Sequence, residues 1–430
     1  MLRKILATSG TRIMNAVSSL IVLWIATNAL GSEAWGTAGI ILLDISLVLL
    51  VVELVTGSAI VFHSSKENFT SLLLLSAIWT VFIIGIFALL FFIVSYFPHL
   101  YSLMIPEGYG KHILILSLIN GFYGFNLNAL LGREKLKSFN SLFVLQFTLL
   151  LITMAASVYI FEVRDERAFV LALYVSYSIP AIIGWILMVP LLEKPSFFNL
   201  RIIFRRLFNF GSMTQLSSIA HLINKRMSFY VIKQYLGLAP LGVYNSGIQL
   251  TEGLRLIGQS ISLVQFSSLS NSNSDEYARV LSIQLLKFSV LLTSLALLVL
   301  IAVPKEVFET IFSKDFGDIK IVIISLAPGV VFLAANTIFS HYFSGTGQPK
   351  YNLYASLVGL IVTIPAVFLL IPAFHLVGAG ISASLAYGAS VMYQWIVFKK
   401  LTRTKTAELR IRSHEIKAFA VSIRKLFSSK

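Results

Sequence analysis

The residues best able to do chemistry in this chain are charged side chains placed where a bilayer would be. The stretch HLINKRMSFYVI (221–232) sets His221, Lys225 and Arg226 in a long apolar run. Beyond it, Asn245, Gln249, Glu252, Arg255, Gln259 and Ser262 follow spacings of 4, 3, 3, 4 and 3. That period keeps all six on one helix face, and such a face must meet protein or water instead of lipid. Glu252 and Arg255 can pair along the helix, and a satisfied pair joining two helices is the plainer alternative to contact with a ligand. Nearer the start stand Arg12, Asn15, Asp44 and Glu53. An ionisable group at mid-membrane costs about 2.5–3.5 kcal/mol on insertion scales, so each is a functional candidate by default.

Lys225 belongs to a second polar stripe, Thr214, Ser218, His221 and Lys225, with spacings of 4, 3 and 4. Arg226 is turned about 100° away from it. Two roles stay open for Arg226, contact with a substrate or neutralisation of Asp44. Asp44 lies eight residues after Gly36 and Arg226 sixteen before Gly242, which places both in the same half of the membrane. Of the two acids, Glu53 is the better cavity candidate, on the stripe Ser46, Glu53 and Thr56.

Lys225 and Arg255, with Arg226 and Arg12 as further candidates, give such a cavity a positive surplus. It would repel cationic drugs and attract phosphate, the strongest partner of desolvated Arg and Lys. Glu53, Glu252, Asp44, His221, Asn15, Gln249 and Gln259 are the candidates for polar lining or coupling. No catalytic residue, metal ligand set or cofactor is assigned. The seven histidines are dispersed, and no Walker A loop, nucleophile elbow or dinucleotide loop is present.

The elements that must hold these residues follow from composition. Of 430 residues 57% are hydrophobic and 12% charged, with mean hydropathy +0.84, far from the roughly 25% charge of soluble domains. Twelve apolar runs are long enough to cross as helices: 9–29, 37–60, 70–97, 111–131, 139–161, 168–190, 209–234, 240–266, 281–303, 319–341, 351–372 and 376–398. The chain reads as an all-α, multi-pass membrane protein. Its net charge of +15 sits in short loops and in the last thirty residues, which argues against nucleic acid. Lys and Arg concentrate in the loops that share a side with the N-terminus, so both termini are expected in the cytoplasm. The absence of cysteine excludes disulfides and thiolate ligands.

A repeat organises the spans. Leu30-Gly31 and Gly36 in LGSEAWG return as Leu236-Gly237 and Gly242 in LGLAPLG, 206 residues later. At the same offset the stripe Thr8, Arg12, Asn15, Ser19 answers Thr214, Ser218, His221, Lys225. A looser echo links GREKLKSFN (132–140) to GTGQPKYN (345–352). The expected organisation is two pseudo-symmetric six-helix bundles, 1–198 and 199–404, then a basic amphipathic cytoplasmic tail, 405–430, suited to the anionic inner leaflet. Parallel repeats of this kind are a transporter architecture, with the substrate path between them.

The segment 343–388, FSGTGQPKYNLYASLVGLIVTIPAVFLLIPAFHLVGAGISASLAYG, resembles the last three spans of bacterial polysaccharide flippases. A glycine-rich basic loop, an Asn, an Ile-Pro and a Gly-Ala-Gly follow in that family's order. LGLAPLGVYNSGIQLTEGLRLIGQSISLVQFSSLS (236–270), with Gly242-Val243-Tyr244, is similar to its seventh and eighth spans. The resemblance implies the Wzx-type, MATE-like branch of the multidrug/oligosaccharidyl-lipid/polysaccharide exporters, with a cation-lined, V-shaped cavity between two bundles. It implies a flippase that carries polyprenyl-pyrophosphate-linked oligosaccharide across the bacterial cytoplasmic (inner) membrane by alternating access. A polysaccharide polymerase and a chain-length regulator are the further partners it suggests. In one respect the chain departs from the family: where many relatives carry an acid shortly after the Arg of the seventh span, Ser228 follows Arg226-Met227 here. An acid-dependent coupling at that place is therefore not carried over. The rival readings are a multidrug or cation antiporter of the same fold, which should show an acidic cavity, and a membrane-embedded polymerase or acyltransferase.

Overall fold

The structure is a computed structural model describing the backbone of residues 2–64, 66–194, 196, 199–270 and 275–409. Side chains are described over the same residues except 2–13, 213–214, 255–264, 266–270 and 275. Arg12, Arg255 and Gln259 therefore lie outside the described side chains, as do residues 410–430 of the expected tail.

Among the described residues the chain is helical, with no strand. The first set of helices is α1 (Leu2–Ala29), α2 (Gly31–Thr56), α3 (Ser58–His63), α4 (Phe69–Ser95), α5 (Pro98–Met104), α6 (Gly110–Gly132), α7 (Leu136–Tyr159) and α8 (Glu166–Met188). The second is α9 (Leu200–Leu236), α10 (Leu238–Ser270), α11 (Asp275–Ala302), α12 (Lys305–Phe312), α13 (Ile319–Gly345) and α14 (Lys350–Thr402). Eight of these are long and apolar enough to cross a membrane, α14 counted once. α14 bends at His375, whose φ of 53° and ψ of −130° are not helical. There the chain doubles back so tightly that a Cβ on Gly378 would meet the Leu370 carbonyl oxygen at 1.9 Å. The two expected final spans thus join through a bend with no loop between them. α9 begins at Leu200, nine residues before the expected span, because its first turns, rich in Arg, continue the helix out of the apolar region.

The repeat has a physical cause. Gly31 (φ +83°) and Gly237 (φ +94°) hold the left-handed conformation that ends one helix and starts the next, a conformation that costs other residues dearly. Further along, a Cβ on Gly36 would lie 2.0 Å from the Leu238 carbonyl oxygen, and one on Gly242 would lie 1.9 Å from that of Ser32. Ser32 and Leu238 are themselves repeat partners, so α2 and α10 cross reciprocally. Gly39 then packs on its own partner, Asn245. These are the contacts of a two-fold axis running between α2 and α10. The looser echo is real as well. After α6 the Lys135 amide bonds to Leu130 O and Glu134 is left-handed; after α13 the Gln348 amide bonds to Phe343 O and Gly347 is left-handed.

The segment joining the two sets is fastened to the first. The Glu193 carboxylate accepts from the Phe69 amide at 3.1 Å and pairs with Arg133. The amide bond and then the guanidinium hold that carboxyl below its ordinary range against partial burial. Thr70 and Ser71 bond to the backbone of Glu193 and Ser196. At the far end, Glu408 accepts from the Lys405 amide and pairs with Arg279, contacts that together keep its carboxyl low.

Candidate functional site

A cavity of about 970 Å³ lies between the two sets of helices, at the upper end of the roughly 300–1,000 Å³ of small-molecule sites. α1 contributes Asn15 and Ser19, α2 Gly39 and Ser46, α9 Arg226 and Phe229, and α10 Asn245, Gln249 and Glu252. α1 and α10 place the described part of their stripes inward, because that face would otherwise meet lipid with unpaired polar groups.

The charges of the cavity converge on one oxygen. Glu252 Oε1 is 2.8 Å from Lys225 Nζ and 3.5 Å from an Arg226 terminal nitrogen. The guanidinium also sits 4.9 Å above the ring of Phe229. Side-chain exposure is 12% for Lys225, 21% for Arg226 and 27% for Glu252, so the carboxylate is the most open of the three. Beside it Gly253 lines the cavity. Two cations against one carboxylate leave a local positive surplus.

Several sequence-based expectations are corrected. Arg226 does not neutralise Asp44; it lines the cavity and joins Glu252. Asp44 is buried and accepts a hydrogen bond from Tyr230, with Lys233 acting on it electrostatically. The cause is the register of α2 and α9. Gly36 abuts Leu238 as well as Gly242, so counting eight residues from each side brings Asp44 level with Tyr230, one turn beyond Arg226. Nor does Glu53 line the cavity. Its carboxylate accepts from Gln215 Nε2 at 2.8 Å in the seam between α2 and α9. Lys225 reaches the site through Glu252 without standing in the lining, and His221 is half-buried on α9 outside it. Asn15, Gln249 and Glu252 do line it.

The sequence reading missed Asn120 and Tyr123 on α6, Gln146 on α7 and Tyr177 on α8, which complete the wall. Gln146 is 3% exposed in a long apolar helix, and a lone amide at mid-span was the available signal. The Tyr123 hydroxyl and Asn245 Nδ2 are buried without a hydrogen-bond partner. Buried polar atoms are rarely left so. Among the described residues no group of His, Cys, Asp or Glu could hold a metal ion.

The comparisons bear on both chemistry and fold. A family model described as "Polysaccharide biosynthesis protein" matches residues 29–321, more than half of the chain. A probable low-salt glycan biosynthesis flippase, Agl15, of Haloferax volcanii is 24% identical over 204 residues, 47% of this chain and 42% of that protein. The matched part thus spans less than half of that relative. Among solved structures, the lipid II flippase MurJ in an inward closed conformation superposes with a TM-score of 0.71 at 15% identity, over 95% of this chain and 89% of that one. An inward-facing multidrug resistance MATE family transporter of the MOP superfamily gives 0.70 at 15% identity, over 91% and 96%. The all-α, MATE-like membrane fold implied by the resemblance is therefore the fold of this chain.

Proposed function

Because the chain belongs to the polysaccharide biosynthesis protein family, we propose that it is a flippase moving polyprenyl-pyrophosphate-linked oligosaccharide across the bacterial cytoplasmic membrane, from its inner to its outer face. The observation that carries this reading is the convergence of Lys225 and Arg226 on Glu252, in the wall of a roomy cavity between the two bundles. A pyrophosphate is the substrate group such a pair suits, since a guanidinium offers paired donors to phosphate oxygens and an ammonium a point charge. Oligosaccharide hydroxyls then find Asn15, Tyr123, Gln146, Asn245 and Gln249, while the polyprenyl tail stays in lipid. Arg12 and Arg255 add to the positive field in this reading.

The halves 1–198 and 199–404 rock about the axis between α2 and α10, with both termini and the basic tail on the cytoplasmic side. Product delivered outside would be taken up by a polymerase under a chain-length regulator. A cation or multidrug antiporter of the same fold is disfavoured by the positive surplus, which repels cationic cargo.

Reconstitution into liposomes with a lipid-linked oligosaccharide tests the proposal. Lys225→Glu combined with Arg226→Glu should abolish transfer between leaflets while the protein still inserts and folds. Wild-type transfer by that double variant would sink the proposed role.

A further inference from the structure

The cavity has two walls of different chemistry. Its charged lining residues among the described ones, Arg226 and Glu252, stand on α9 and α10. α6, α7 and α8 supply instead Asn120, Tyr123, Phe143, Gln146, Phe147 and Tyr177, all uncharged. The charges of those three helices lie in their first turns: Lys111 and His112 on α6, Lys137 on α7, Glu166 and Arg167 on α8. The middle of this wall therefore carries none. Spacings of three and four put Phe143, Gln146 and Phe147 on one face of α7. The ring centroids of Phe143 and Phe147 are 5.1 Å apart, and those of Tyr123 and Tyr177 5.9 Å. Phe143, Phe147 and Tyr177 are half-buried, so each keeps part of its ring accessible.

Rings interleaved with amides and hydroxyls match the two sides of a sugar. A pyranose has an apolar C–H face that packs on an aromatic ring, and a rim of hydroxyls that both donate and accept. An amide answers both roles at once, and a tyrosine adds a hydroxyl to its ring. A polyprenyl chain suits this wall poorly, because it would bury the amides of Asn120 and Gln146 against hydrocarbon. An acidic sugar suits it poorly too, since its carboxylate would shed water there with no cation on α6, α7 or α8 to meet it. We infer that the wall of α6, α7 and α8 is a sugar subsite that takes an uncharged ring, stacked on Phe143 and Phe147 and hydrogen-bonded by Gln146, Asn120 and the two tyrosines. This rests on the cavity being the path of a lipid-linked oligosaccharide. The cargo then lies across the interface of the halves, sugar on the first and pyrophosphate on the second, and both hold it while they move. Selection of the glycan belongs to α6, α7 and α8, not to the charges of α9 and α10.

Binding to the full chain in nanodiscs separates the sugar from the rest of the cargo. Farnesyl pyrophosphate offers a headgroup and a tail. The same compound bearing N-acetylglucosamine adds an uncharged sugar, and one bearing glucuronic acid adds an acidic one. Wild type should bind the N-acetylglucosamine probe about tenfold more tightly than either of the other two. Gln146→Leu and Phe147→Ala should each weaken that probe about five- to tenfold and leave farnesyl pyrophosphate binding unchanged. Gln146→Leu keeps nearly the native size and suits an apolar helix, so it carries the test should Phe147→Ala fail to fold. The subsite is overturned if these variants bind the N-acetylglucosamine probe as wild type does. It is overturned equally if they lose farnesyl pyrophosphate to the same degree, which would make the wall a site for the tail. Equal binding of the two sugar probes overturns the selection of an uncharged ring. If wild type binds none of the probes, the headgroup reading fails and the subsite with it; if it binds farnesyl pyrophosphate and gains nothing from the sugar, the subsite alone fails.

Discussion

Two seams join the halves of this molecule, related by the same two-fold axis, and their chemistry differs. Between α2 and α9, Asp44 accepts from Tyr230 beside Lys233, Glu53 accepts from Gln215, and Gly211 lies so close that its Cβ would meet the Leu54 carbonyl oxygen at 1.7 Å. Moving Asp44, Tyr230 and Lys233 by the repeat offset leads to Leu250, Trp24 and Thr27 at the seam of α1 and α10. There Leu250 faces the cavity and Trp24 is 45% exposed. The axis has preserved backbone and glycines but not charges. One seam is tied by buried polar groups; at the matching positions of the other stand Leu250 on the cavity and the partly exposed Trp24. The ionic groups of α9 accordingly have two duties: Lys225 and Arg226 turn to α10 in their own half, whereas Tyr230 and Lys233 reach across to the other.

The comparison can be broken most forcefully at Asp44. Asp44→Ala strands the Tyr230 hydroxyl and the Lys233 ammonium in the seam and should cost about 2–4 kcal/mol, read as a lowered midpoint of thermal unfolding in detergent. Asp44→Asn keeps an acceptor for Tyr230 and should cost visibly less. Gly242→Ala disturbs the crossing that both seams share. A Cβ there must displace backbone, and overpacking of that kind costs about 1–3 kcal/mol; thermal unfolding again measures it. Gln215→Ala removes a donor from Glu53 and should cost about 1 kcal/mol. At the opposite seam, Trp24→Ala should stay within about 0.5 kcal/mol. An equal loss at Trp24 and Asp44 would mean that the seams are alike in strength despite their chemistry.

Much of this architecture was legible before any coordinates. Hydropathy located the twelve helical segments, because a membrane leaves few other solutions for apolar runs of this length. The glycines at 31, 36, 237 and 242 announced the axis, because left-handed turns and backbone contact leave no choice of residue. The stripes pointed Asn15, Gln249 and Glu252 inward, and these three stand in the cavity lining. What failed was the fine rotation of α9. Helical spacing assigns residues to faces of one helix and says nothing of which neighbour each face meets. The face of α9 that meets the cavity carries Leu222, Arg226 and Phe229, about 100° round from His221 and Lys225. Glu53 shared a stripe with Ser46, which lines the cavity, yet Gln215 claims it from α9. Cross-helix register decides such cases, and it depends on where two helices first touch.

The fastening of the inter-half segment sets a limit on motion. Ser196 is bonded to Ser71 through both its amide and its carbonyl, and α9 starts at Leu200. Four residues of fully stretched chain reach about 14 Å. The start of α9 is therefore on a leash of about that length from α4. A wider stroke at this end must first tear the Ser71 and Glu193 bonds. At the opposite end the halves are tied by lighter bonds, Asn28 Nδ2 to Ile311 O at 2.7 Å and Ser313 Oγ to Thr27 O at 3.2 Å.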